Sequence, residues 1–237
     1  MEKDAIREAV WDQLEESGAA RFPFPPHGRI PNFAGANDAA ARLAETPEWD
    51  AAATVKANPD APQLPIRRRA LHEGKTVYMA VPRLRDERCF YELDPERIDD
   101  DHLDSAPTVS HVEQYARQVA PDDLPDIDLV VSGSVAVTES GARIGKGEGF
   151  SDLEFAVLRG LGAVGDETAI ATTVHELQVR NDAPEPDAHD VPMDIVVTPE
   201  RMIRTETPSD RPTGIDWDAL SDEQIDEMPV LQRLRSE

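Results

Sequence analysis

Residues 127–137, IDLVVSGSVAV, form a nearly continuous apolar run that ends in small residues and leads into a glycine-rich segment and then a helical pattern. A strand with no polar alternation is one buried on both faces, the condition of strands in a parallel sheet covered by helices. Further strand patterns follow the same logic at TVYMAVP (76–82), AIATTV (169–174) and MDIVVT (193–198), with MIRT (201–204) placed to return as a hairpin. Between them, helical periodicity covers 2–17, 36–45, 65–73, 111–119 and 151–161. This alternation predicts an α/β fold, a mostly parallel sheet flanked by helices, with ligands at the carboxyl ends of its strands. Residues 21–34, RFPFPPHGRIPNFA, predict an ordered irregular segment whose aromatic rings need burial.

Composition removes several classes of function. The 237 residues are enough for a sizeable core without staples, and the one cysteine, Cys89, can make neither an internal disulfide nor a cysteine metal cluster. No run approaches membrane-spanning length, and the acidic, amphipathic amino terminus is neither a secretory signal nor a transit peptide, so a cytoplasmic location is expected. Acids outnumber bases 48 to 24, for a net charge of -24 spread along the chain, which disfavours nucleic acid and anionic membranes as partners. Only four lysines (Lys3, Lys56, Lys75, Lys146) stand among 20 arginines. A uniform acidic shell with scarce lysine predicts a salt-filled cytoplasm in which self-repulsion is screened. Lysines kept in such a chain are candidates for chemistry.

Two segments carry candidate chemistry. In the first helix Ile6, Val10 and Leu14 make one apolar stripe, and Lys3 and Arg7 fall on that side while acids fill the rest. An ordinary surface helix puts its cations on the wet face; here the pair either snorkels at the stripe's edge or faces an anionic ligand. The second segment is GARIGKGEGFSDLE (141–154), with Gly145, Gly147 and Gly149 at alternate positions before a helix. Glycines let backbone N–H groups approach phosphate oxygens, the helix terminus adds partial positive charge, and Arg143 and Lys146 add full charges. The spacing is neither a Walker A loop nor a dinucleotide fingerprint, and a tight turn before a helix explains it equally well. Asp152 reads as a first-turn acid or a magnesium ligand, and Asp194, opening a strand, as an edge acid or a group facing a site. His175 has neither a Ser-His-Asp nor an HExxH context.

The string DLVVSGSVAVTESGARIGKGEGFSDLE resembles the signature of the 5-formyltetrahydrofolate cyclo-ligase (methenyltetrahydrofolate synthetase) family, a strand followed by G-x-R-x-G-x-G-x-G-[YF]-x-D. Lys3 and Arg7 resemble its amino-terminal K-x-x-x-R, and GKTVYMAVPRL its middle strand. His189, Asp190 and Asp194 resemble its H-D-x-x-x-D ending, and Gln178 stands where the family has glutamine. RFPFPPHGRIPNFAGA, VKANPDAPQ and RIGKGEGFSDLE are most similar to the methenyltetrahydrofolate synthetase domain-containing branch.

The resemblance implies a domain over residues 1–205 like those of ribose-phosphate isomerases and coenzyme A transferases, followed by an acidic, partly mobile tail, 206–237, with room for one helix. It implies ATP and Mg2+ as cofactors and a reduced folate as substrate. It assigns Lys146 and Arg143 to catalysis. Lys3, Arg7, Arg143, Gly145, Lys146, Gly147, Glu148, Gly149 and Phe150 are assigned to ATP, Phe150 and Gln178 to the substrate, and Asp152 and Asp194 to the metal. Three departures fall on the folate side. Phe150-Ser151 replaces a tyrosine pair, Glu148 takes a basic or glycine position, and PQLPIR stands where a folate-contacting glutamate is usual. Two further readings therefore stay open: ATP-dependent activation of another metabolite, linked to thiamine metabolism, and a non-catalytic nucleotide- or folate-binding regulator.

Overall fold

The computed structural model describes residues 2–182, 186–205 and 211–236. In chain order its elements are α1 (Lys3–Glu16), β1 (Ala20–Arg21), β2 (Asn32–Phe33), α2 (Ala36–Leu43), α3 (Pro47–Ala51), β3 (Thr54–Ala57), α4 (Leu64–His72), β4 (Thr76–Ala80), β5 (Phe90–Leu93), α5 (Val112–Tyr115), β6 (Arg117–Val119), β7 (Leu129–Val131), β8 (Ala136–Val137), β9 (Arg143–Ile144), α6 (Phe150–Gly160), β10 (Ala169–Thr173), β11 (Ile195–Val197), β12 (Met202–Arg204), α7 (Asp222–Glu227) and α8 (Pro229–Ser236). Eight strands form one sheet in the order β12-β11-β10-β7-β3-β4-β5-β6. The five from β11 to β4 are mutually parallel, and the hairpin partners β12, β5 and β6 close the edges antiparallel. The expected mostly parallel α/β sheet is what forms.

The period-two alternation of each strand feeds two cores. On β4, Val77 and Met79 pack under α2, α3 and α4, while Tyr78 and Ala80 face α6 and the carboxyl-terminal helices. On β7, Leu129 and Val131 join the first core and Val130 the second. A third, smaller core joins Ile6, Val10 and Leu14 of α1 to Val135, Ala136 and Ile144 of the β8–β9 hairpin. That contact carries α1 to the glycine loop.

Several expectations need correction. The apolar run 127–137 is not one strand: it breaks after Val131, because the chain leaves the sheet at Ser132-Gly133-Ser134 to build the hairpin. Residues 111–119 give one short turn of helix and then a strand, β6. Phe22 and Phe24 face solvent, at 78% and 57% exposure, and of the three rings in that segment only Phe33 is buried. Residues 206–210 lie outside the described residues, but beyond them the acidic tail holds two helices rather than one. Ile225, Met228, Val230 and Leu231 are buried in the second core. Asp222, Glu223, Asp226 and Glu227 of α7 are exposed, and such acids mask the apolar stripe in the composition.

Candidate active site

Chain direction sets the location. From β3 the chain proceeds outward to β4, whereas β7, on the other side of β3, leads outward to β10. Connections that diverge in this way open a crevice at the carboxyl ends of the two central strands, the usual ligand position in open α/β sheets. Lys56 of β3 is buried there, and its ammonium donates to Asn58 Oδ1 at 2.8 Å and to Glu154 Oε2 of α6. Asn58 Nδ2 donates to Ser151 Oγ at 3.1 Å, and that hydroxyl lies 3.5 Å from Ser132 Oγ. Gln63 is fully buried, yet neither atom of its amide has a hydrogen-bond partner among the described residues. It stands beside Gly133, where a Cβ would come within 3.1 Å of Gln63 Oε1 and 2.9 Å of Ile30. A buried amide without partners is costly unless something else satisfies it. Burial pushes the Asp60 carboxyl up from its ordinary range, with the nearby Lys146 cation pulling the other way.

The glycine loop, residues 145–149, joins β9 to α6 at the rim of this crevice. Gly145 is crowded, since a Cβ would lie 3.1 Å from the Arg143 guanidinium, which would have to give way. Gly147 sits at φ +104°, a conformation that L side chains rarely adopt, and a Cβ there would touch the Arg7 guanidinium at 3.5 Å. The first backbone bond into α6 is from Leu153 N to Gly149 O. The N–H groups of residues 146–152 therefore find no acceptor among the described residues. Successive free N–H groups ahead of a helix make a concave anion site, reinforced by the positive end of the helix.

The residues singled out from the sequence divide by position. Arg7 Nε donates to Gly145 O at 2.7 Å, and its Nη1 pairs with the exposed Asp4. Lys3 bridges Asp187, at 2.7 Å, and Asp190; burial opposes its charge, but the two carboxylates outweigh that and raise its pKa. Of the two cations of α1, Arg7 thus lies against the loop, whereas Lys3 is engaged by the 187–190 segment. Lys146 pairs with Glu148 at 2.8 Å, both side chains partly exposed. Phe150 is half-buried at the first position of α6. Arg143, by contrast, is buried beneath the loop, where it donates to Gly133 O at 2.9 Å and pairs with Asp152. Its position is that of a support for the loop. Gln178 is fully buried, and its amide protons go to Ser134 O and Val135 O while its oxygen accepts from His175 N. It holds the segment that leaves β7, and its donors are already spent.

The two carboxylates expected to hold magnesium have separate partners. Asp152 engages Arg143 and, through Oδ1, Val191 N at 3.1 Å. Asp194 accepts from Ile170 N at 2.8 Å and from Arg211, which also donates to the carbonyls of Asp166 and Thr168 ahead of β10. Each already neutralises an arginine and they share no partner, an arrangement that does not fit a metal held by the pair. Asp187, His189 and Asp190 place ligand atoms within 4.8 Å of one another, but the Lys3 ammonium binds both of those carboxylates.

Sequence reasoning missed Asn58, Gln63, Ser132 and Glu154, and it noted Lys56 as a scarce lysine without assigning it to the site. The scarcity of lysine that drew attention to Lys146 applies equally to Lys56, a charged residue inside the strand TVKA. None of the four lysines is an ordinary solvated one: Lys75 is buried and donates to Trp49 O and Ala52 O at the carboxyl end of α3.

A nest of free N–H groups and cations beside a parallel-sheet crossover defines an α/β protein able to hold a polyanion next to a buried polar crevice. Residues 1–199 match the sequence pattern of the 5-formyltetrahydrofolate cyclo-ligase family, and the chain belongs to that family. Methenyltetrahydrofolate synthase domain-containing proteins of Mus musculus, Bos taurus and Homo sapiens are 43%, 42% and 39% identical to it over 98–99% of its length. The chain spans 61–63% of the length of these relatives. The solution structure of Aquifex aeolicus 5,10-methenyltetrahydrofolate synthetase shares the fold, with a TM-score of 0.53 at 19% identity, over 89% of this chain and 96% of that one. No helix among the described residues is long and apolar enough to cross a membrane.

Proposed function

We propose that the protein is an ATP-dependent ligase of one-carbon metabolism that converts 5-formyltetrahydrofolate to 5,10-methenyltetrahydrofolate. The observation that carries this reading is the run of acceptor-free N–H groups at 146–152, flanked by Arg7 and Lys146 and opening beside the crevice of Lys56, Asn58 and Gln63. The nest and its cations would hold the triphosphate of ATP. The crevice would hold the formylated ring system, with the Gln63 amide meeting a polar edge of the substrate. The formyl oxygen attacks the γ-phosphorus and ADP leaves; N10 then attacks the resulting imidate phosphate carbon, the ring closes and inorganic phosphate departs. Little covalent work falls to the protein, whose task is to align two reactants and stabilise developing charge. Lys146 is placed to do the latter. Its partner Glu148 is exposed enough to swing aside, as is Asp4, so the carboxylates now on Lys146 and Arg7 are exchangeable for phosphate oxygens, while Lys3 stays tied to the largely buried Asp190.

Activation of a different metabolite is the second reading. It is favoured by Ser151, which stands where the family has a tyrosine and is hydrogen-bonded into the crevice through Asn58. One assay separates the two: phosphate release from ATP–Mg in molar potassium chloride, with and without 5-formyltetrahydrofolate. Folate-stimulated release with the absorbance of methenyltetrahydrofolate supports the first. ATP turnover that ignores the folate but responds to another metabolite supports the second, and binding without turnover refutes both.

A further inference from the structure

Arg83 follows β4 in the sequence Pro82-Arg83-Leu84-Arg85 and carries φ 58°, ψ 21°. Leu84 follows at φ 52°, and these are the two non-glycine residues at positive φ among the described residues. The left-handed conformation is unfavourable for both side chains and persists only where the surroundings impose it. Here they do. Leu84 is fully buried in the second core and its N–H bonds Val81 O at 2.9 Å, so the turn is pinned from below. The result is to direct Arg83 away from its own strand and over α6, with its guanidinium carbon 5.9 Å from the centre of the Phe150 ring.

The guanidinium is exposed and has no other protein partner among the described residues. In a chain with 48 acids, Arg83 and Arg88 are the two arginines with neither hydrogen bond nor ion pair among the described residues. Arg7, Lys146 and Arg143 around the same loop all have carboxylate partners. Arg83 alone beside the loop presents free donors, on a strained backbone and against the ring that opens α6. A guanidinium placed over an aromatic face without a carboxylate partner keeps its donors free for a planar or tetrahedral oxyanion.

We propose that Arg83 is a ligand-binding residue that clamps an oxyanion of the bound reactants, either a nucleotide phosphate or a carboxylate of the substrate. This rests on the ATP and folate reading given above for the class of ligand. Strain supplies the control. Arg83→Gly deletes the guanidinium and at the same time relieves the left-handed backbone, so it should fold at least as stably as the wild type.

Calorimetric titration in molar potassium chloride would use three probes, ATP–Mg, inorganic tripolyphosphate and 5-formyltetrahydrofolate, against the wild type, R83G and R83K. R83G should lose roughly tenfold or more in affinity with no fall in melting temperature. Loss for ATP and tripolyphosphate together puts Arg83 on the phosphates; loss confined to the folate puts it on a substrate carboxylate. R83K should recover only part, because an ammonium does not bind an oxyanion in a fork. Equal affinities of wild type and R83G for every probe that binds overturn the proposal and leave the ATP–folate reading intact. If the wild type binds tripolyphosphate but neither ATP nor the folate, that reading falls while tripolyphosphate still tests Arg83. A wild type that binds none of the three overturns both.

Discussion

The ammonium of Lys56, on a central strand, donates to the carboxylate of Glu154, on the second turn of α6, and both residues are withdrawn from solvent at 1% and 8% exposure. The pair ties the floor of the crevice to the helix whose amino terminus forms the anion nest. Removing one member of a buried pair strands the other charge, at a cost of about 3–5 kcal/mol, whereas replacing both with apolar groups is far milder. K56M and E154L should each lower the denaturation midpoint sharply in molar potassium chloride, and K56M/E154L should recover most of the loss. A double variant as unstable as the worse single would show that the pair does not act as a unit.

Lys146 and Glu148 make a second pair, this one on the surface, so it contributes little to stability. Its interest is in binding, because Glu148 holds the cation assigned to phosphate and adds negative charge to an anion nest. E148Q should leave the melting temperature within about a degree and tighten ATP by a few-fold. K146A should also keep the fold but weaken ATP by on the order of tenfold or more. Titration of ATP–Mg into both variants checks this. Weaker binding by E148Q would mean that Glu148 contacts the nucleotide itself.

These contrasts show what a sequence can and cannot reveal. The parallel sheet was legible because its strands are apolar without polar alternation, as two covered faces require: Val77, Met79, Leu129 and Val131 meet one core while Tyr78, Ala80 and Val130 meet the other. The docking of α1 was legible because Lys3 and Arg7 share a helical side with Ile6, Val10 and Leu14. The crevice was not, because it is assembled from residues far apart in the chain: Lys56 meets Glu154 across 98 positions and Asn58 meets Ser151 across 93. No local periodicity encodes such meetings. Gln178 and Arg143 were expected to meet ligands, and their supporting contacts were not legible, since only the fold reveals that backbone carbonyls and Asp152 consume their donors.

Asp60 makes a pH dependence. Its carboxyl is raised above its ordinary value chiefly by burial. An acid whose pKa is higher folded than unfolded holds its proton longer in the native state. Its contribution to stability is therefore neutral below the unfolded pKa of 3.8, declines as pH rises from there through the folded pKa, and is a constant penalty above it. D60N removes that penalty. The variant should be more stable than the wild type at pH 7, and the gap should close as pH falls toward 3.8. Paired urea melts at several pH values would read the difference. A gap independent of pH would assign the effect to packing instead of ionisation.

Salt gives the broadest expectation. At a net charge of -24 the folded chain concentrates like charges that the unfolded chain spreads out, so self-repulsion opposes folding wherever screening is weak. The Debye length shrinks from about 10 Å at 0.1 M to about 3 Å at 1 M, which silences repulsion between surface acids. Buried contacts such as Lys56–Glu154 and Arg143–Asp152 are shielded much less. Thermal melts followed by circular dichroism should show stability rising from 0.1 M toward molar potassium chloride, by roughly the relief of surface repulsion and without loss of the buried pairs. Lithium or sodium chloride at equal ionic strength should act similarly if screening is the cause. A melting temperature that falls as salt is added would mean that surface ion pairs such as Arg204–Glu48 and Arg201–Glu139 outweigh the net charge, and the acidic shell would need another explanation.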